Sequence, residues 1–237
     1  MATASPQWYL AQLIEEEKYE HGGNLLDVNF VLISATSADN AYNLAHEVGH
    51  DHETSFLVAS GDDPRKWDEA EKQLATIVFR GLRNLSLIGP DLKHGTEIYH
   101  EKPRQLAENE IWKLVTPKNE QTVFKAWIPE DAEWYIAEII KSVGQNEDGL
   151  FIVHPCMILI EAALPDEAFE QAMEFGKSLH TDTTRFWGIR MVYVVHDPLE
   201  HGEEVAFERT EDVSEAEIQQ MICPKEHLAI FENPDFR

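Results

Sequence analysis

The chain has 237 residues, 43% of them hydrophobic and 10% aromatic, which supports a packed core and excludes a globally disordered protein. Its 44 acidic residues outnumber 19 basic ones and give a formal net charge of −25, which argues against nucleic-acid binding because this charge repels phosphates. The length fits one large domain or two small ones.

Two sequence features bear on the location of the protein. Cys156 and Cys223 are far apart and belong to no C-x-x-C motif, which argues against a disulfide scaffold and suits a reducing cytoplasm. The N-terminal stretch shows no signal-peptide pattern, and no apolar run approaches the ~18 residues that a membrane span needs. We therefore expect a cytoplasmic protein with no membrane partner.

The first half of the chain begins with two predicted strands and a helix. The stretches "WYLAQLI", from Trp8, and "VNFVLISA", from Val28, are typical of strands. The next apolar residues recur at helical spacing, at Ala38, Ala41, Tyr42, Ala45 and Val48. Gly49 is predicted to end this helix, because glycine is common at helix C-termini.

Further strands and a second helix follow in the first half. "TIVFRGLRNLSLI" and "TEIYHEK" predict a β-hairpin joined through "LKHG", in which Gly95 takes a positive φ. "LAENEIWKLV" predicts a helix, and "QTVFKAW" predicts a closing strand.

The second half of the chain repeats this order of motifs. "WYIAEII" from Trp134 corresponds to "WYLAQLI", and residues 32–49 align with residues 159–176 with many identities. Residues 79–118 align without a gap with residues 186–225. In this half "LEHG" joins the predicted hairpin and "HLAIFE" is the predicted closing strand. An insertion at about residues 50–72 distinguishes the first copy.

The repeat predicts an α+β fold with two tandem modules, residues 1–128 and 129–237. Apart from the opening strand, each module reads β-α-β-β-α-β, which is the ferredoxin-like order. Two such modules can pack as a pseudo-dimer, as identical subunits do. The prediction is therefore a tandem ferredoxin-like protein with one extra N-terminal strand in each module.

The motifs "WY.A.L", "F.G.R" and "L.HG.E" also resemble a small bacterial domain of unknown function, once in each copy. The resemblance covers nearly the whole chain. It rests on aromatic, glycine and turn positions, and the family has no established activity. It therefore supports the architecture and implies no mechanism.

The stretch "HEVGH", from His46 to His50, fits the zinc-peptidase pattern H-E-x-x-H. Two histidines one helical turn apart can both bind zinc, and the glutamate between them can activate a bound water. A third ligand is required, and Glu69 is the candidate. The alternative prediction is therefore a zinc-dependent hydrolase with ligands His46, His50 and Glu69 and with Glu47 as its catalytic base.

Two observations favour an ordinary helix end over this zinc site. Methionine replaces the first histidine in the second copy, and if the helix ends at Gly49, His50 lies beyond it and loses the helical geometry. Glu47 falls opposite the apolar stripe and is predicted to face solvent. We therefore predict no cofactor, with adventitious metal binding by nearby histidines as the simpler alternative.

Polar residues that occur in both copies are the other candidates for a ligand or interaction site. Those considered are Arg83 and Arg190, His94 and His201, and Glu97 and Glu204. Turn chemistry accounts for His94 and His201, which precede a glycine. A structural salt bridge accounts for the two arginines, which lie within predicted strands.

The leading functional hypothesis is a bacterial protein that is a non-enzymatic, acidic interaction module. Its charge suits a protein partner, with a basic one as the natural match, and a regulatory or toxin-neutralising role is compatible with this. No P-loop, G-x-S-x-G or G-x-G-x-x-G motif indicates an enzyme. A further alternative is a small-ligand site between the modules, near His94 and His201.

Overall fold

The computed structural model describes residues 5–59 and 72–232, which form an α+β protein with two compact units. Unit 1 comprises Met1–Leu87 and Glu200–Arg237, and unit 2 comprises Ile88–Leu199. The chain leaves unit 1 once and returns to it. The compact units therefore cut across the modules 1–128 and 129–237 that the repeat predicts.

The described residues form ten strands and five α-helices. The strands are β1 (Gln7–Tyr19), β2 (Asn24–Ala35), β3 (Thr54–Ala59), β4 (Lys72–Gly89), β5 (Glu97–His100), β6 (Arg104–Leu106), β7 (Trp134–Gln145), β8 (Phe151–Glu161), β9 (Thr184–Val194) and β10 (Glu204–Glu211). The helices are α1 (Ala38–Asp51), α2 (Glu108–Ile111), α3 (Pro165–Ser178), α4 (Glu215–Met221) and α5 (Ala229–Glu232). Within the described ranges, no helix has the length and apolar character needed to cross a membrane.

The two sheets share one strand order. The sheet of unit 1 runs β10-β2-β1-β4-β3, and the sheet of unit 2 runs β5-β8-β7-β9, with β6 also paired to β8. The opening strands β1 and β7 hold equivalent places, each antiparallel to the strand that follows it. The strands β10 and β5 also hold equivalent places, at the outer edge of β2 and β8.

The predicted hairpins through "LKHG" and "LEHG" are wrong, because their two strands belong to different sheets. β4 lies in unit 1 and β5 in unit 2, while β9 lies in unit 2 and β10 in unit 1. Each unit thus completes its sheet with a strand from the other half of the sequence. The glycines of these connections do take the expected positive φ, 82° at Gly95 and 91° at Gly202.

The two predicted closing strands are also wrong. "QTVFKAW" contains the 3-10 turn Thr122–Phe124, and "HLAIFE" contains the short helix α5. Gln121 explains the first difference, because its fully buried side chain occupies the outer edge of β9. Its Oε1 accepts from the Val192 N–H at 3.0 Å, and its Nε2 donates to the Thr116 carbonyl at 3.0 Å. A side chain thus satisfies backbone groups that a closing strand would otherwise pair.

These differences leave a mixed α+β architecture with two antiparallel sheets. In unit 1, β1 lies between β2 and β4, so the opening "WY" strand is central rather than an addition to a ferredoxin-like sheet. β7 has the same central place in unit 2. The ferredoxin-like arrangement is therefore not confirmed.

One helix packs across each sheet through small residues. α1 buries Ala41, Ala45 and Gly49, and α3 buries Ala168, Phe169, Ala172 and Gly176. The first helix covers a core that includes Tyr9, Ala11, Leu13, Val31 and Ile33. The apolar stripe predicted from the sequence is therefore the face that contacts the sheet.

The prediction that α1 ends at Gly49 is wrong, since the helix continues to Asp51 and its C-cap is His52. Gly49 serves close packing instead. A Cβ at this position would lie 2.5 Å from the Phe79 ring, so only glycine lets the ring approach the helix. Gly176 and Phe186 repeat this contact in unit 2. A glycine near a helix end can therefore indicate close packing against a neighbouring ring instead of the end of the helix.

Candidate functional site

An open cleft of about 440 Å³ lies in unit 1, next to the C-terminal end of α1. Its walls are Glu15, Asp27, Asn29, His52, Ile77, Glu204, Phe207 and Arg209. Three carboxylates, one guanidinium and one imidazole therefore converge on one small volume.

Strand register places most of the groups that line the cleft. Glu15 on β1 lies directly opposite Asp27 on β2, and Asp27 lies opposite Arg209 on β10. Alternation along a strand sends residues two apart to the same face, so Asn29 joins Asp27 there. His52 comes from the end of α1. The site thus requires the exchanged strand β10.

Glu15 is the buried centre of the cluster and is 6% exposed. Its carboxylate accepts hydrogen bonds from His52 Nδ1 at 2.8 Å and from Asn29 Nδ2 at 2.9 Å. The hydrogen bond to Glu15 raises the pKa of His52, although burial acts in the opposite direction. Asp27 has its own partner, since Arg209 donates to its two oxygens at 2.7 and 2.6 Å.

Glu204 is the carboxylate of the cleft that lacks such a partner. Among the described residues, no hydrogen bond or ion pair to its side chain is formed, and the residue is exposed at the cleft. Surrounding protein and the charges of Glu15 and Asp27 raise its pKa from 4.5 to about 7. Three carboxyl groups thus share the cleft with one guanidinium and one imidazole, and their mutual repulsion favours the protonated form of Glu204.

The corresponding place in unit 2 carries different chemistry. Lys141 and His154 form the cross-strand pair that corresponds to Glu15 and Asp27. Lys141 Nζ donates to Glu97 Oε2 at 2.7 Å, and Glu97 begins β5 as Glu204 begins β10. A lysine ammonium is therefore part of unit 2 at the position where unit 1 has a carboxylate.

Cys156 lies in the same cluster of unit 2 but is not a poised nucleophile. Burial, together with the nearby Glu97, raises the pKa of its thiol to about 12. The thiolate is the reactive form of cysteine, so this environment suppresses its reactivity. Burial and the charge of Lys141 also lower the pKa of the neighbouring His154.

The two arginines predicted as candidates form ion pairs on strands. Arg83 donates from Nε to Gln12 at 2.6 Å and pairs with Glu208 at 2.7 Å. Arg190 donates from Nε to Glu138 at 2.6 Å and also pairs with Glu101. Arg83 thus reaches Glu208 on β10, and Arg190 reaches Glu101, which directly follows β5.

His94 and His201 each accept one backbone hydrogen bond. His94 Nδ1 accepts from the Glu161 N–H at 3.3 Å, and His201 Nδ1 accepts from the Ser34 N–H at 3.1 Å. His94 thus contacts the end of β8, and His201 contacts the end of β2. Each histidine precedes a glycine with a positive φ. Their contacts match the local turn role, and each lies outside the groups that line the cleft of unit 1.

The "HEVGH" stretch is helical throughout, so His46 and His50 lie one helical turn apart. The prediction that His50 lies beyond the end of the helix is wrong. Both imidazoles pack edge-on against Phe79, with ring centroids 5.3 and 5.2 Å away. Glu47 is exposed, as predicted. Burial and the nearby His50 lower the pKa of His46. The helix thus uses its histidines for packing against an aromatic ring.

The third zinc ligand of the alternative prediction, Glu69, lies outside the described residues. Within residues 5–59 and 72–232, no group of three or more His, Cys, Asp or Glu side chains is placed to hold a metal ion.

Sequence reasoning selected Glu97 and Glu204 but missed most of their neighbours. Glu15, His52 and Asp27 belong to separate elements and carry no motif. The one available signal was the replacement of Glu15 by Lys141 in otherwise similar opening strands, "WYLAQLIEEE" and "WYIAEIIKSV". A charge reversal between two copies marks a position where their surroundings differ.

Residues 8–100 match the model of a family described as a domain of unknown function, DUF4288. The match covers less than half of the chain and lies within residues 1–128, the first predicted module. No curated protein and no solved structure matches the chain.

Proposed function

We propose that the protein is a non-enzymatic, acidic binding module whose unit 1 cleft receives a cationic group of a protein partner. The group is an ammonium or guanidinium, as on a lysine or arginine side chain. The partner is basic at its contact surface, in keeping with the net charge of −25.

One internal comparison carries this proposal. In unit 2 the ammonium of Lys141 bonds the carboxylate of Glu97 at 2.7 Å. In unit 1 the equivalent carboxylate, Glu204, faces Glu15 instead of a lysine, and its pKa rises to about 7. An external ammonium near Glu204 would reproduce the pairing that unit 2 contains. It would also relieve the repulsion among the carboxylates.

The groups around Glu204 also suit a binding role better than a catalytic one. Glu15 already bonds His52 and Asn29, and Asp27 already bonds Arg209. These bonds hold the walls of the cleft in place, as a preorganised binding site requires. The remaining free group, Glu204, has a carboxylate whose charge is unmatched.

We further infer that the two units arose by duplication of one module, since the sheets share their strand order and the Gly49 and Gly176 contacts correspond. The unit 1 cleft then diverged toward cation binding. A cytoplasmic, regulatory or toxin-neutralising role fits such a module, with salt-dependent binding of its partner as the shared property.

The test uses the full chain and the probe N-acetyl-lysine methylamide, followed by NMR. We expect saturable shifts of the His52 and Glu15 signals with a dissociation constant on the order of millimolar. The norleucine analogue, which lacks the ammonium, should cause no such shifts. Added sodium chloride should weaken the binding, because salt screens charge pairs.

Two matched variants locate the site. Glu204→Gln should abolish the shifts, whereas Glu97→Gln, at the equivalent position of unit 2, should leave them unchanged. Equal shifts with the norleucine analogue, or equal binding by wild type and Glu204→Gln, would contradict the proposal.

A further inference from the structure

Strand β3 is an uncharged edge strand on a strongly acidic protein. Its sequence, "TSFLVA", contains no charged residue and no proline. It pairs with β4 in a regular antiparallel register, from Thr54 opposite Ile77 to Val58 opposite Gln73. Among the described residues, no other strand pairs with β3, which is the last strand of its sheet. Within the described ranges, its outer edge therefore has no strand to accept its backbone hydrogen bonds.

Apolar side chains accompany this open edge. Leu57 is 66% exposed, and Phe56 and Leu74 are 39% and 43% exposed. Leu57 and Leu74 form a cross-strand pair, so their exposed surfaces adjoin. The strand thus offers both hydrogen-bonding groups and apolar surface to an incoming strand.

The other edge strands of the described sheets carry protection that β3 lacks. β10 contains Glu204, Glu208, Arg209 and Glu211 and has a register shift. β5 has only four residues and a register shift, and β9 carries two arginines and pairs through two shifts. Charges, bulges and short length are the usual means by which proteins block edge-to-edge pairing. The contrast within one chain indicates that β3 is kept available for pairing.

We propose that β3 pairs antiparallel with β3 of a second copy of this chain, across a two-fold axis. Such an interface is self-complementary, since both copies offer the same strand. The charge of −25 per chain repels a second copy over most of the surface. The uncharged strip of β3 lets two copies meet without setting charged side chains of this strand against each other.

The size of the contact sets its strength. A pairing of six residues from each chain is smaller than a standard interface of about 1,200–2,000 Å². The dimer is therefore reversible and depends on concentration. Salt screens the repulsion between the acidic copies, so dimerisation strengthens as salt rises. This salt dependence is opposite to that of cation binding in the cleft, so the two proposals succeed or fail separately.

Sedimentation equilibrium of the full chain at low and high sodium chloride tests the dimer. We expect a dimer fraction that rises with concentration and with salt. Leu57→Glu should raise the dissociation constant by at least about tenfold, because pairing would bring two carboxylates together. Leu164→Glu is the control, since Leu164 is 63% exposed in unit 2, outside β3. It should leave dimerisation unchanged.

Hydrogen exchange supplies an independent measurement on the unaltered protein. The amides of residues 54–58 should gain protection as concentration rises, while those of β10 should not. A monomer under all conditions, equal effects of the two glutamate substitutions, or unchanged exchange in β3 would overturn the proposal.

Discussion

Gln12 is a buried residue with one unsatisfied amide donor. Its Oε1 accepts from Arg83, but its Nε2 has no hydrogen-bond partner among the described residues, and the residue is only 2% exposed. The equivalent residue of unit 2 is Glu138, whose two oxygens both bond Arg190. Gln12 and Glu138 thus occupy equivalent positions that bind an arginine, and Gln12 binds its arginine through fewer hydrogen bonds.

We predict that Gln12→Glu stabilises the protein by about 1 kcal/mol, because it removes an orphan donor and makes the bond to Arg83 charge-assisted. The reverse change, Glu138→Gln, should destabilise it for the same reason. Urea unfolding of both variants measures the two effects. Destabilisation by Gln12→Glu would show that desolvation of the added charge outweighs the new bond.

Glu204 also makes a prediction about pH. Its pKa is raised from 4.5 to about 7, so the folded chain binds more protons than the unfolded chain between these values. The contribution of Glu204 to the free energy of unfolding therefore falls as pH rises through this window. Thermal unfolding of Glu204→Gln should lose less stability than wild type between pH 4.5 and 7. Parallel profiles would refute the raised pKa.

At the scale of elements, glycine contacts set how closely the helices approach the sheets. Gly49 faces the Phe79 ring, and Gly176 faces Phe186. The sequence indicated that these glycines correspond, but it could not distinguish a helix stop from a close contact. That distinction depends on a ring thirty residues away in the first copy and ten in the second.

We predict that Gly49→Ala destabilises the protein by about 1–3 kcal/mol through overpacking against Phe79. This exceeds the roughly 1 kcal/mol by which alanine is the better helix former. Glu47→Ala, on the exposed face of the same helix, is the control and should change stability by less than about 0.5 kcal/mol. Chemical denaturation compares the two, and a stabilised Gly49→Ala protein would contradict the contact.

At the scale of the molecule, each sheet borrows an edge strand from the other half of the sequence. The hairpin patterns through "LKHG" and "LEHG" predicted strands at the positions of β5 and β10. They could not show which sheet these strands join, because equivalent strands of two similar units present the same apolar face. The sequence therefore could not predict the cleft. Glu204 lies near Glu15 only because β10 joins the sheet of unit 1.

Two matched substitutions test this exchange. Val205 on β10 and Ile98 on β5 are equivalent, and each is 3% exposed. Val205→Ala should reduce hydrogen-exchange protection in β2, whereas Ile98→Ala should reduce it in β8. Each substitution removes buried side-chain packing at one sheet edge, which lowers the stability of that edge by about 2–3 kcal/mol. Loss of protection in β8 from Val205→Ala and in β2 from Ile98→Ala would instead show that the two strands are not exchanged.

The pKa of the Glu204 carboxyl, measured by carbon NMR, tests whether the cleft of unit 1 holds more carboxylates than its own cations can pair. We expect a pKa of about 7 in the wild type. We expect a lower value in Glu15→Gln, which removes one negative charge. The value should be lowest in Glu15→Lys, which copies the lysine of unit 2. A wild-type pKa near 4.5, or one that Glu15→Lys leaves unchanged, would contradict the claim.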